Sequence, residues 1–383
     1  MGKKIKNEDL FPAWFRAFLL ALVTLPLISG LHRNTGSFLK PFESLLHINR
    51  ADSSLLVGVQ FMMEAVGFLL LGQLSQFIRF NRLLLIGMLV TAVGLFMTSL
   101  SRNYYDVLIW FSLVTGLGFG AATFCCFATS IYDAYEKRGF STGWNSAMRI
   151  AGGAVFFVGL RWSIERVFGL SGTFIVLSAI IAFGGILGYF LASREKSAIV
   201  WFRLDRSLVW FYISVSLCFG IFSMQITHKL PLLKEAGLGV GSLGILALIG
   251  LWVNASTEPV AGWLFIDKIK NSRFSFILAV IAVIAGNLLL IPLVRGLEFV
   301  WYAVLCGLFA LFPEPIVPMV NYLADKHRND LGALLGTTFF FMVISQALFS
   351  WFGGIFYVWL GSYELIILLT SVIGIASVFM LRK

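Results

Sequence analysis

A chain of 383 residues that is 59% hydrophobic and only 13% charged, with a mean hydropathy of +0.89, lies outside the range of water-soluble domains, which average about 45–50% apolar and about 25% charged residues. Its net charge of +10 is gathered in short turns between apolar stretches, which reads as membrane topology and excludes a nucleic-acid footprint. Alternating ten-residue segments of the β-barrel kind are absent from the sequence, so the spanning elements are helices.

A helix needs about 20 apolar residues to cross the hydrocarbon core. Twelve such stretches follow along the chain, at 14–40, 53–78, 83–100, 105–130, 142–164, 170–192, 207–232, 242–266, 274–294, 299–324, 332–358 and 362–381. They predict an all-α integral membrane protein with twelve transmembrane helices. The longest polar connection, residues 193–206, is expected to be a cytoplasmic loop between an N-terminal six-helix bundle (1–192) and a C-terminal one (207–383). With the N-terminus placed inside, about 19 of the 29 Lys and Arg fall on the cytoplasmic side and about six on the other. Both termini are therefore expected in the cytoplasm, with the protein in the cell (inner) membrane. The Lys-rich start leads into an apolar stretch too long for a signal peptide, and no small-residue cleavage site precedes Arg33. Cys125, Cys126, Cys218 and Cys306 all fall within spans and show no metal or redox spacing, so they read as packing residues.

The first span carries Arg33, inside His32-Arg33-Asn34-Thr35-Gly36. An arginine at bilayer depth costs roughly 2.5–3.5 kcal/mol on insertion scales, so a carboxylate, backbone carbonyls or cavity water must offset it. Three readings stand at this point: contact with substrate, a structural pair with a glutamate, or snorkelling to the interface. Span two holds Glu64 and leads into the turn Gly72-Gln-Leu-Ser-Gln76-Phe-Ile-Arg79-Phe-Asn-Arg82. Span five holds Asn145, Arg149 and the pair Gly152-Gly153, small residues that let helices approach closely.

In the second half, Lys229 stands one turn after Gln225 and beside His228 in span seven. It is placed either to meet a solute or to snorkel. Span eight puts Asn254, Glu258 and Gly262 on one face at i, i+4 and i+8, then continues to Asp267-Lys268-Ile-Lys270. Span ten contains Phe312-Pro313-Glu314-Pro315-Ile-Val-Pro318, where three prolines must disturb the helix. Broken backbone at membrane depth is tolerated where it lines a cavity or is buried in protein. Burial and a neighbouring cation tune a carboxyl's titration in opposite senses, so Glu64, Glu258 and Glu314 are candidate proton carriers. The alternative for each is a static pair with Arg33, Arg149 or Lys229.

The halves repeat one another. Asp133 to Gly143 has its echo in Asp325 to Gly336, and the two Gly-x-x-x-Gly pairs are offset by 193 residues, 139 to 332 and 143 to 336. The Gly72 turn likewise has its echo at Gly262-Trp-Leu-Phe-Ile-Asp267-Lys268. On these turns, where the family motif is a glycine, then an acid, then a basic cluster, the chain resembles the major facilitator superfamily along its whole length. Gln76 stands where the first-half acid is usual, and Asp267 comes one residue late.

The resemblance implies a secondary transporter whose two bundles rock about a central site, with Gly72, Arg79, Arg82, Gly262, Asp267 and Lys268 as gating turns. The spacing from Arg33 to Pro41 and Gly72 is similar to that of the organophosphate and organic-anion branches, where the first-span arginine holds an anionic group of the substrate. Span eight is similar to that of monocarboxylate-transporter relatives, except that Asn254 replaces their acid and Glu258 their arginine. Arg33, Asn254, Glu258, Arg149 and Lys229 are accordingly the expected substrate contacts, and Glu64, Glu258 or Glu314 the proton site. The expected partners are a small-molecule solute (an amino acid or organic anion), the proton and the lipid bilayer, with the protein a monomer. No phosphate-binding glycine loop, metal cluster or nucleophile triad occurs in the sequence, so no cofactor and no enzymatic activity are expected. An exporter of amphipathic or cationic compounds, and a non-transporting receptor or assembly factor, are the competing expectations.

Overall fold

The computed structural model describes residues 12–198, 206–235, 252–289, 291, 312–327, 330–360 and 363–380. All regular structure among them is helical. Seven helices among the described residues are long and apolar enough to cross a membrane: Ala13–Arg33, Asp52–Leu74, Phe80–Leu100, Tyr104–Asp133, Tyr135–Val167, Gly169–Leu191 and Leu331–Phe349. Leu208–Ser223, Ser272–Gly286 and Leu365–Phe379 are shorter apolar helices. Ile86 and Val93, with Phe183 and Phe190, lie exposed on two of these helices. Apolar exposure on that scale suits lipid and not water.

The first helix, α1 (Ala13–Arg33), ends earlier than the hydropathy suggests. The apolar stretch runs to 40, yet the helix stops at Arg33 because Asn34 takes over its last carbonyls. The Asn34 Nδ2 group donates to Gly30 O at 2.8 Å and across to Gly153 O at 2.9 Å. The chain then makes a 3-10 turn (Thr35–Phe38) and a short helix α2 (Leu39–Leu46), which closes on His47 in the left-handed region. Asn49 caps α3 (Arg50–Leu74) by accepting from Asp52 N. After α4 (Phe80–Leu100), α5 (Tyr104–Val107) passes through a π-helical stretch, Leu108–Val114, into α6 (Thr115–Asp133). The α6 helix is buried from Gly118 to Ile131 and forms the centre of the first half. Two more helices complete that half, α7 (Arg138–Trp162) and α8 (Gly169–Leu191).

The second half holds α9 (Arg206–Glu235) and α10 (252–262), the latter continued by a π-helical turn, Trp263–Lys268. It goes on with α11 (Ser272–Leu288), α12 (Ile316–His327), α13 (Leu331–Leu360) and α14 (Tyr363–Met380). Residues 312–315 are not helical, so the break required by Pro313 and Pro315 is real and places Glu314 just ahead of α12.

The turns at 75–79, 134–137, 192–198 and 269–271 gather at one end of the molecule, here the basic end, where Arg79, Arg82, Lys137, Arg138, Arg194, Lys196, Lys268 and Lys270 lie. Two glycine seams join the halves there. In one, Gly139 and Gly143 of α7 lie on Gly262 and on the Glu258 and Pro259 backbone of α10. In the other, Gly332 and Gly336 of α13 lie on Ser75, Phe68 and Gly72 of α3 and its turn. A Cβ on Gly139 would overlap Gly262 O, and one on Gly336 would stand 2.5 Å from Phe68 O. Only glycine permits this approach.

The two seams are capped differently. Asp267 accepts from the backbone N–H groups of Gly139 at 2.8 Å and Phe140 at 2.9 Å, which places a carboxylate on the N-terminus of α7 from the other half. The corresponding end of α13 receives a neutral group, Ser197 Oγ, at 3.2 Å from Gly332 N. Arg138 pairs with Asp325 across the first seam, and Asn321 donates to Thr142 Oγ1 at 2.9 Å. Among the described residues Arg79 and Arg82 are exposed and form no ion pair. Asp267→Ala is expected to weaken the first seam by about 1.5–3 kcal/mol, the range for hydrogen bonds to a charged group. Faster labelling of a cysteine placed at Thr142 would register it, and an unchanged labelling rate would show that the seam does not depend on the cap.

Candidate functional site

Close packing of α1 on α7 builds the site. Gly152 lies against the backbone of Pro26, and Gly153 lies 3.0 Å, measured from an added Cβ, from Arg33 Cδ. These glycines leave a shelf on which the Arg33 stem rests. Its position at the last turn of α1 also sets its charge against the negative end of the helix dipole. From α7, Ser146 and Arg149 share the facing side at i and i+3.

These groups converge on one carboxylate from the second half. Arg33 Nη2 lies 3.2 Å from Glu314 Oε1 and Arg149 Nη1 lies 3.5 Å from Glu314 Oε2. The Ser146 hydroxyl donates to that same Oε2. Glu314 is buried, with 6% of its side chain exposed, against 19% for Arg33 and 12% for Arg149. Glu258 of α10 steadies the broken segment, because its Oε1 accepts the Glu314 backbone N–H at 2.8 Å. Pro313 and Pro315 have removed the helix that would otherwise satisfy that amide. Arg149 Nε and Nη1 and Glu258 Oε2 have no hydrogen-bond partner among the described residues.

A second pair adjoins the first along α1. His32 Nδ1 stands 2.7 Å from Glu64 Oε2, with the imidazole against Phe61 and Phe119. It ties α1 to α3 within the first half, whereas Arg33 and Arg149 reach across to the second.

Of the residues singled out in the sequence, Arg33, Arg149, Glu258 and Glu314 come together, and Glu64 is engaged by His32. Asn254 is exposed one turn from Glu258 and makes no side-chain bond to the cluster among the described residues. The Lys229 side chain lies outside the described residues. Ser146 escaped the sequence reading; its spacing three residues before Arg149 was the available signal. Among the described residues no group of three or more His, Cys, Asp or Glu could hold a metal ion.

Comparison with known proteins identifies the scaffold that carries this arrangement. A family model described as Major Facilitator Superfamily matches residues 17–349. An uncharacterized MFS-type transporter, YcxA of Bacillus subtilis (strain 168), is 29% identical over 173 residues. That stretch spans 42% of this chain and 42% of the length of YcxA. A solved structure of the proton:xylose symporter XylE, bound to 6-bromo-6-deoxy-D-glucose, superposes with a TM-score of 0.73 at 12% sequence identity. The superposition covers 97% of this chain and 95% of that one, and at that identity the likeness is one of fold.

Proposed function

This chain belongs to the major facilitator superfamily, a family of transporters and not of enzymes, and we propose that it moves a small carboxylate-bearing solute by alternating access. It is a multi-pass membrane protein with the fold of a secondary transporter. One observation carries the choice of solute: two guanidinium groups and a hydroxyl from the first half converge on a single carboxylate at the junction with the second. Arginine forks are suited to carboxylate recognition because two parallel N–H groups match two oxygens.

Within that class an amino acid has specific support. Glu258 Oε2 is buried and without a partner among the described residues, a fitting acceptor for an ammonium group, with Asn254 one turn away to line the approach. In this reading Arg33 and Arg149 hold the carboxylate and Glu258 the opposite pole. The proton is the coupling ion, carried at Glu314, Glu258 or Glu64. The glycine seams close the cytoplasmic side of a carrier in the cell membrane, and the halves rock about the charged cluster.

The test is uptake by proteoliposomes over a panel of lactate, succinate, glutamate, inorganic phosphate and a lipophilic cation, with and without an inward proton gradient. Gradient-driven accumulation of a carboxylate is expected. Accumulation of the lipophilic cation alone would favour an exporter, and specific binding without flux of any solute would favour a receptor.

A further inference from the structure

Glu314 is held as a ligand would be. Its two oxygens are divided between Arg33 and Arg149, the second shared with the Ser146 hydroxyl, which is the arrangement proposed above for the solute's own carboxylate. Three features separate it from an ordinary structural pair. It bridges the two halves, 281 residues apart in sequence. It projects from backbone without helical structure, between two prolines. And Arg149 Nε has no hydrogen-bond partner among the described residues, while its Nη1 reaches Glu314 only at ion-pair distance, 3.5 Å, so the guanidinium pair is not saturated by the carboxylate it holds.

We infer that Glu314 is a tethered competitor: its carboxylate occupies the solute's place between Arg33 and Arg149, and the solute enters only when Glu314 takes up a proton and withdraws. The inference rests on the carboxylate reading of the site.

The exchange balances. A proton from the aqueous side of higher proton activity binds one Glu314 oxygen, and its contact with the guanidinium groups is given up. The solute carboxylate takes that place, so the two arginines face one negative charge before and after. The neutral Glu314 carboxyl has an acceptor beside it, because Glu258 already accepts the Glu314 backbone N–H and has its second oxygen free among the described residues. An O–H from Glu314 to Glu258 Oε2 lets two adjacent carboxyl groups share one proton. The cations in ion-pair reach of Glu314 among the described residues are Arg33 on α1 and Arg149 on α7. Facing it from the second half is Glu258, and Glu64 on α3 is engaged by His32. One proton therefore accompanies each carboxylate, and release on the other side returns Glu314 to the arginines and the proton to water.

The experiment measures binding of lactate, succinate and glutamate to purified wild type and Glu314→Gln, from pH 6 to pH 9. Proton uptake on binding is followed in wild type with a pH dye. In wild type the Kd is expected to rise about tenfold per pH unit at the alkaline end, as linkage to one proton requires, with about one proton taken up per solute bound. Glu314→Gln is expected to bind at least tenfold more tightly at pH 9, to lose the pH dependence, and to exchange solute across vesicles without gradient-driven accumulation. Weaker binding by Glu314→Gln, or a pH slope equal to that of wild type, overturns the inference while leaving the carboxylate site standing. Absence of proton uptake in wild type overturns it even where the variant does not fold. If wild type binds none of the three solutes, the carboxylate reading falls and takes the inference with it.

Discussion

Arg33→Ala is expected to reduce carboxylate uptake to background and to raise the apparent Kd by roughly 100-fold. Removing one member of a buried charge pair costs about 3–5 kcal/mol. The low end applies, because Arg33 retains 19% side-chain exposure and Arg149 remains to hold Glu314. About 3 kcal/mol is about two decades of affinity. Arg33→Lys keeps the charge and loses the fork, and is expected to recover part of the affinity, to within about tenfold of wild type. Uptake assays with binding measured in parallel separate a lost site from a lost protein. An Arg33→Ala carrier whose apparent affinity is unchanged would remove Arg33 from the solute.

Gly262→Val is expected to stop transport by a different route, leaving binding from the opposite side intact. A side chain at 262 overlaps Gly139 O on α7, so α7 and α10 must part. Parting breaks the Asp267 bonds to Gly139 and Phe140 and the Asn321 bond to Thr142. Overpacking of this kind costs about 1–3 kcal/mol, which shifts the ratio of closed to open seam by roughly 5- to 150-fold. The readout is thiol labelling of Thr142→Cys, a position fully buried in the closed seam. Labelling should accelerate in the Gly262→Val background and stay slow with Gly159→Val, where an added side chain meets open space. Equal labelling in the two backgrounds would show that the seam tolerates a side chain and is not the closing surface.

Much of the scaffold was legible in hydropathy alone. The stretches 83–100 and 170–192 correspond to helices Phe80–Leu100 and Gly169–Leu191, because continuous apolar runs between basic turns leave few alternatives. The end of α1 was not legible. The apolar run continues past Arg33, and only the amide of Asn34, bonding Gly30 and Gly153 at once, stops the helix. The site was legible as an inventory of charges but not as a set of pairs. Arg33, Arg149, Glu258 and Glu314 each stood out as a costly group in an apolar run, yet which helix faces meet is decided by packing. The shelf made by Gly152 and Gly153 brings Arg33 to Glu314. His32 and Glu64 were noticed singly and meet across α1 and α3. Arg138 and Asp325 both lie in the repeated turns, and their pairing became visible only once the halves were placed together.

With the halves alternating as proposed above, the glycine seams have a consequence for how the carrier spends its driving force. Side chains that interdigitate must surrender rotamer freedom each time a surface closes, up to about 1.5–2 kcal/mol for a long one, while glycine surrenders none. A closing surface of backbone on backbone, as at Gly139 with Gly262 and Gly336 with Gly72, therefore adds little entropic toll to each cycle and leaves the grip to the polar bonds beside it, from Asp267, Arg138 and Asn321. It behaves as a near-frictionless bearing. On such a bearing the balance between the two faces is left to those few bonds and to the charges at its centre, so one proton or one carboxylate exchanged there weighs directly on it.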